Sequence, residues 1–262
     1  MKTVVCIKQV PSISEVSIDP ITKRLKREGI ESVINPFDLY AVEEALKLRE
    51  KNGGEVIILS MGPPQAEKSV RETLSMGADA GILLSDRAFA GSDTWATSYI
   101  LAKAIQKIGD VDLVICGKQA VDGDTAQVGP GIGAHNDWPH VTYVFEIIDS
   151  NSENLKVKRM HEDGHSEIEL TFPSVITVVK DINHPRVPTL KGCLASRQAA
   201  ISIWGAADID AEEDCIGLDG SPTRVVKTQP PPPREGETVF LDGPPEESAR
   251  RIVHDLRMQS LI

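Results

Sequence analysis

The strongest constraint on this chain's fold is a set of short runs that stay apolar instead of alternating: "TVVCI" (3–7), "EVIILS" (55–60), "AGILLS" (80–85) and "VDLVICG" (111–117). A strand with one wet face alternates apolar and polar residues, so runs like these are covered on both faces, as in a parallel sheet. Parallel strands need long crossovers, and helical patterns fill the gaps here. In "NPFDLYAVEEALKLREKNGG", Asn35 stands as N-cap, Pro36 takes the first helical position and Gly53 follows the end. Leu39, Val42 and Leu46 share a face, and Glu43 is spaced to pair with Lys47. A second helix is expected over 64–76, and a third opening at Ser92 or Asp93 with Leu101, Ala104, Ile105 and Ile108 on one side. This order predicts an α/β fold: a doubly wound, mostly parallel sheet of the Rossmann-like kind.

After about residue 140 the pattern changes. "VTYVFEIID", "NLKVKRM" and "SEIELTFPSVITVV" read as strands joined by short turns, Asp163-Gly164 among them, and are expected to be antiparallel additions to the sheet. Residues 183–198 are polar and proline-broken, an exposed loop leading into a short helix. "TQPPPPREGE" (228–237) reads as a stiff polyproline spacer. Beyond it, "PPEESARRIVHDLRMQSLI" forms an amphipathic helix with Ile252, Leu256 and Met258 on its apolar side. Such a helix either folds back or docks on another chain. The expected division is therefore a nucleotide-binding domain over 1–227 and an extended arm over 228–262.

Composition narrows the function. Lys and Arg total 28 against 39 Asp and Glu, a net charge of −11, and aromatic residues are only 4%. Nucleic-acid phosphates need a basic footprint, so that class is excluded. Cys6, Cys116, Cys193 and Cys215 are scattered with no C-x-x-C pair, which indicates neither a zinc site nor a disulfide framework. Reduced thiols, and an N-terminus that turns polar after a few apolar residues, suit a cytoplasmic chain with no membrane insertion.

In open α/β sheets, ligands sit beyond the carboxyl ends of the strands. "GKQAVDGDTAQVGPGIG" (117–133) begins at such an end and opens a helix. Glycines let backbone N–H groups approach an anion, the helix start adds partial positive charge, and Thr125 adds a hydroxyl. The plain alternative is an ordinary long connection. A dinucleotide fingerprint fits poorly, because Gly129, Gly131 and Gly133 come well after the strand. A Walker A motif is absent, and a metal site on Asp122 and Asp124 lacks a matching ligand nearby. His161 and His165 flank the Asp163-Gly164 turn and read as a solvated tip; His135 and His140 read as packing near the crevice. Asn35 to Asp38, Met61 to Pro63 and Ala90 to Thr94 each open a helix at other strand ends, an arrangement suited to an adenine nucleotide.

Together "NPFD-x-x-AVEEAL", "GKQAVDGDTAQVGP", "NHPR-x-PTL" and "VKRMHEDGHSEIELTFPSVITV" (157–178) resemble the β subunit of electron transfer flavoproteins over essentially the whole chain. The resemblance implies a heterodimer. Its α subunit carries one FAD; its β subunit holds a second adenine nucleotide, AMP in simple members and FAD in electron-bifurcating ones. In the bifurcating branch the second FAD takes hydride from NADH. One electron then passes to the α-subunit flavin and an acyl-CoA dehydrogenase-like or other flavin dehydrogenase, the other to ferredoxin or flavodoxin. The AMP-binding members tend to carry an acidic run and an Asn-Gln-Thr sequence in the turn. The small residues from Asp122 to Gly131, and "DRAFAGSDTWATS" (86–98), are more similar to the bifurcating branch.

By resemblance, Cys6, Asn35, Phe37, Asp38 and Met61 surround the adenosine. Asp122, Asp124, Thr125, Gln127 and Val128 follow the phosphates together with Gly129 and Gly131, with the two aspartates turned to ribose hydroxyls or to their own turn's amides. Ala90, Asp93, Thr94 and Thr97 lie toward the flavin. No side chain acts as acid or base and no metal is implied, since hydride transfer is flavin chemistry. Leu190 matches the apolar tip of the family's partner-recognition loop within 183–198; read by itself it is a lone exposed leucine. Basic residues common after that loop are reduced to Arg197, so the acceptor need not be a standard acyl-CoA dehydrogenase. The competing reading is a nucleotide-binding regulatory module, which has no use for the extended second half or the terminal helix.

Overall fold

The computed structural model describes residues 1–12, 32–226 and 239–262. The polyproline segment (228–237) lies outside them. The described residues divide into two compact units, Met1–Arg224 and Val225–Ile262.

The first unit is a nine-stranded sheet flanked by helices. In chain order it contains β1 (Lys2–Ile7), α1 (Pro36–Asn52), β4 (Glu55–Met61), α2 (Glu67–Met76), β5 (Ala80–Leu84), α3 (Thr94–Ile108), β6 (Leu113–Gly117) and α4 (Val128–Asn136). There follow β7 (His140–Ser150), β8 (Asn154–His161), β9 (Gly164–Thr171), β10 (Ser174–Val178), α5 (Leu190–Gln198) and β11 (Ile201–Trp204). A separate two-stranded ribbon, β2 (Gln9–Pro11) with β3 (Ser32–Ile34), lies between β1 and α1 in the chain. Spatially the sheet runs β11-β5-β4-β1-β6-β10-β7-β8-β9.

The four apolar runs are the parallel strands β1, β4, β5 and β6, and their lack of alternation has the anticipated cause. Val5, Ile58 and Ile115 pack with Val42 and Leu46 of α1 on one face. Val4, Leu59 and Val114 pack with Ile100 and Ile105 of α3 and Ile132 of α4 on the other. Both faces of each strand are thus dry. The chain steps outward from β1 through β4 to β5, then returns across it to β6, so β1 and β6 flank the point where the crossovers diverge.

Three expectations need correction. "SEIELTFPSVITVV" is two strands broken at Phe172–Pro173, and only the first is antiparallel. β10 is an interior strand, parallel to both β6 and β7, and its fully buried pattern matches a two-sided environment. The antiparallel addition is the meander β7-β8-β9. Second, Glu43 does not pair with Lys47. It is buried and takes Arg186 at 2.8 Å, while Lys47 reaches Glu44 at 3.6 Å. Arg186 also binds Glu50, and the two carboxylates push its guanidinium above its ordinary range, tying loop 183–189 onto α1. Third, β2, β3 and β11 form where no strand is expected; each is only three or four residues long, too short for a periodic signal.

The second unit contains α6 (Pro245–Met258), on which Ile252 and Met258 are exposed. Among the described residues no helix is long and apolar enough to cross a membrane.

Candidate functional site at the strand ends

A cavity of about 340 Å³ opens at the carboxyl ends of β1, β4 and β6, the divergence point at which open α/β sheets take ligands. Cys6, Met61, Leu101 and Cys116 give it an apolar floor. Asp93, Thr94 and Thr97 border it from the start of α3, and Thr125 to Gly129 from the start of α4.

The two helix starts differ. Asp93 caps α3, its carboxylate accepting from the Trp95 and Ala96 N–H groups at 3.0 and 3.1 Å. The same carboxylate accepts from the Thr223 N–H and hydroxyl at 2.9 and 2.8 Å. Burial pushes Asp93 up, but the bonds from Thr223, Ala96 and Trp95 outweigh it and hold the carboxyl below its ordinary range. α4 has no such cap. Gln127 stands at its N-cap without a side-chain bond to the helix, its Oε1 accepting instead from the Thr94 hydroxyl at 2.8 Å. Among the described residues, the backbone N–H groups of Thr125 through Gly129 find no acceptor. Thr125 and Gln127 are exposed and only Gly129 is buried, so these amides, at an uncapped helix start beside a cavity, are free to meet water or an anion.

The loop that carries these amides is stitched from below. Asn35 donates to Asp38 at 2.8 Å and to the Gln119 carbonyl at 2.9 Å, and accepts from the Val121 N–H at 3.1 Å. It sits at the N-cap of α1 yet makes no capping bond, because its side chain is spent on the loop. Asp38 accepts from the Lys8 N–H at 2.7 Å. Burial drives its carboxyl up to about 7 despite bonds from Asn35, Lys8 and Gly117. Asp122 pairs with Lys8 at 2.7 Å and Asp124 accepts from Gln119 at 2.6 Å. Asp124 and Ala126 adopt left-handed backbone (φ 51° and 54°), a conformation that costs a non-glycine residue about 1–2 kcal/mol and folds the loop back toward α4.

Of the residues singled out from sequence, Cys6, Asn35, Asp38, Met61, Asp93, Thr94, Thr97, Thr125, Gln127, Val128 and Gly129 line this one cavity; Phe37, Ala90, Asp122, Asp124 and Gly131 do not. Phe37 lies beneath the Lys118 ammonium, 5.7 Å from the ring centre. Leu190 starts α5, well away in sequence, and is 78% exposed. The α4 glycines also differ in role from the expected backbone approach. A Cβ on Gly129 would collide with Thr177 Cγ2, and one on Gly131 would lie 2.5 Å from Ser98 Oγ. They let α4 press onto β10 and α3. Gly123, which lines the cavity and is exposed, has nothing within 4 Å of a Cβ.

Sequence reasoning did not single out Lys8, Cys116 or Lys118 as site residues, though all three line the cavity. The available signal was positional, since Lys8 and Lys118 each directly follow the end of a strand beside the divergence point. His135 packs on α3, tilted against Trp95 with ring centres 4.5 Å apart and edge-on to Tyr99 at 5.7 Å, and does not line the cavity. His161 Nε2 meets the Ser166 hydroxyl at 2.6 Å, and His165 lies edge-on to Phe145.

Residues 22–209 match the electron transfer flavoprotein domain. The electron transfer flavoprotein subunit beta of Thermoanaerobacterium thermosaccharolyticum is 47% identical over the full length of both chains. The chain belongs to the electron transfer flavoprotein family. Its similarity to β subunits extends to the caffeyl-CoA reductase–Etf complex subunit CarD of Acetobacterium woodii, 44% identical over all of both chains. Protein FixA of Azotobacter vinelandii is 46% identical, over 92% of this chain and 88% of its own. The resemblance read from the loop, α1 and strand motifs is therefore upheld.

Proposed function

We propose that this chain is the β subunit of a heterodimeric electron transfer flavoprotein and that its cavity holds the adenosine-diphosphate end of an FAD. The unpaired amides from Thr125 to Gly129 carry this reading, since they are donors awaiting an anion. The Thr125 hydroxyl adds a further donor. Lys8 and Lys118 offset the phosphate charge, although Lys8 is already shared with Asp122. Adenine fits the apolar floor of Cys6, Met61, Leu101 and Cys116. Asn35 and Asp38 act one step back: their polar atoms are bound to protein, so they hold the loop in place instead of reading the nucleotide.

The residues fit a flavin that supplies hydride acceptance from NADH and onward passage of single electrons to an α-subunit FAD and a ferredoxin or flavodoxin. The chain's own part is to bind, orient and partly desolvate that group, since none of its cavity residues is arranged as an acid-base pair. Support for the bifurcating form comes from relatives named FixA and CarD. The exposed Leu190, with loop 183–189 pinned by Arg186, suits docking of a flavin dehydrogenase. One observation favours a second reading. A 340 Å³ cavity lies near the small end of the range of ligand sites, roughly 300–1,000 Å³, and suits a mononucleotide such as AMP.

The test is cofactor stoichiometry after gentle purification with an α subunit. Two FAD per heterodimer, bleached by NADH, are expected; one FAD plus one AMP selects the second reading. Replacing Gly123 by Leu adds bulk at a cavity-lining position where a Cβ meets nothing within 4 Å. It should remove the β-site nucleotide and leave the heterodimer intact. Unchanged nucleotide content in that variant refutes the placement.

A further inference from the structure

Cys6 on β1 and Cys116 on β6 are register partners on neighbouring parallel strands. Residues level with each other on adjacent strands point to the same face, and such strands lie about 4.8 Å apart, so the two thiols stand side by side. Both belong to the apolar cluster beneath Leu101 and Ile132, both are buried, and both line the cavity. The chain's other cysteines, Cys193 on α5 and Cys215 in a turn, are each more exposed, and neither lines this cavity.

We propose that Cys6 and Cys116 form a two-thiol binding site for trivalent arsenicals, reached through the cavity and closed off when a nucleotide fills it. The dithiol stands without the nucleotide reading; only the competition between the two ligands rests on that reading. An aryl arsenoxide, R–As=O, would be converted by the two thiols to R–As(SR)₂ and one water. Two S–H bonds and the As–O bond break, two As–S bonds form, both protons leave on the oxygen, and arsenic keeps its oxidation state. The Cys6 thiol, together with burial and the charge of Asp38, holds Cys116 well above the usual thiol range. A thiol so held is slow toward alkylating agents that require the thiolate, whereas an arsenoxide brings its own proton acceptor. Two ligands from one rigid sheet also act as a chelate, which strengthens binding by roughly 10²–10⁴-fold over a single one.

The experiment adds phenylarsine oxide to the purified heterodimer, with and without added FAD or AMP, and follows it by native and peptide mass spectrometry. One arsenical per β chain is expected, bridging the peptides that contain Cys6 and Cys116. It should persist in the Cys193→Ser/Cys215→Ser double variant and weaken at least roughly 100-fold in Cys6→Ala or Cys116→Ala. Should those variants fail to fold, the bridged peptides of the unaltered chain still decide the matter. No bridged peptide pair, or one that maps to Cys193 or Cys215, overturns the dithiol. A bridge that forms equally fast with nucleotide in excess leaves the dithiol standing and counts against the shared cavity.

Discussion

α3 and α4 begin at the same cavity, yet one start is closed and the other open. Asp93 takes the first amides of α3 and binds Thr223 as well; Gln127 leaves those of α4 unmet. A helix start supplied with its own carboxylate is satisfied internally and has nothing left for a ligand. One that lacks a cap needs another source of stability, and for α4 that source is packing. Gly129 and Gly131 bring it against Thr177 and Ser98 closely enough that no side chain fits between. The start of α4 is therefore held by close contact with β10 and α3. The difference separates a helix start capped by its own chain from one left open within a single pocket.

The sharpest way to break this comparison is to deny α4 its packing. Gly129→Leu forces a side chain into Thr177 and should cost about 3 kcal/mol or more, read as a lower urea midpoint or loss of folded protein. Gly123→Leu, six residues earlier in the loop that leads into α4, should leave stability within about 0.5 kcal/mol of the unaltered chain. Equal losses would mean that the two glycines do the same job.

The start of α1 extends the comparison, because its neighbouring carboxylate, Asp38, is buried under the loop and titrates near 7 instead of the ordinary 3.8. A carboxyl raised by folding contributes its full stability below the unfolded value, and that contribution fades as pH rises toward the folded one. Stability should therefore decline between about pH 4 and 7 and level off above. Urea midpoints across that range should show the decline flattened in Asp38→Asn; an unchanged slope would remove Asp38 as its source.

Asp93→Ala opens the start of α3 and releases Thr223, with an expected loss of about 2 kcal/mol at neutral pH. Asp93 is held low, so its contribution exists above the ordinary 3.8 and disappears as pH falls through the lowered value. The deficit of the variant should shrink accordingly in acid, as thermal melts at pH 7 and pH 2–3 would show.

The smallest effect comes from closing α4. Gln127→Asp supplies the missing cap and should raise stability by about 0.5–1 kcal/mol. It also sets a negative charge against the proposed phosphate position, so nucleotide retention should fall. Gains in both stability and retention would contradict an anion site at these amides.

The residues alone determined the central parallel strands, the three helices α1 to α3 to within a turn at their ends, and the loop that borders the cavity. They did so because two-sided burial, helical periodicity and glycine or proline punctuation act over a few neighbouring residues. Placing β10 inside the sheet was beyond them: "PSVITVV" is apolar on both faces wherever it pairs, and its neighbours β6 and β7 are set by the path of the whole chain. The partner of Glu43 was hidden for the same reason, since Arg186 is remote in sequence and only the fold brings it over Lys47's place. Local pattern likewise made every glycine after Cys116 look alike. Only tertiary contacts separated Gly129, pressed on Thr177, from Gly123, facing open space, because what a missing side chain makes room for depends on atoms from strands far along the chain.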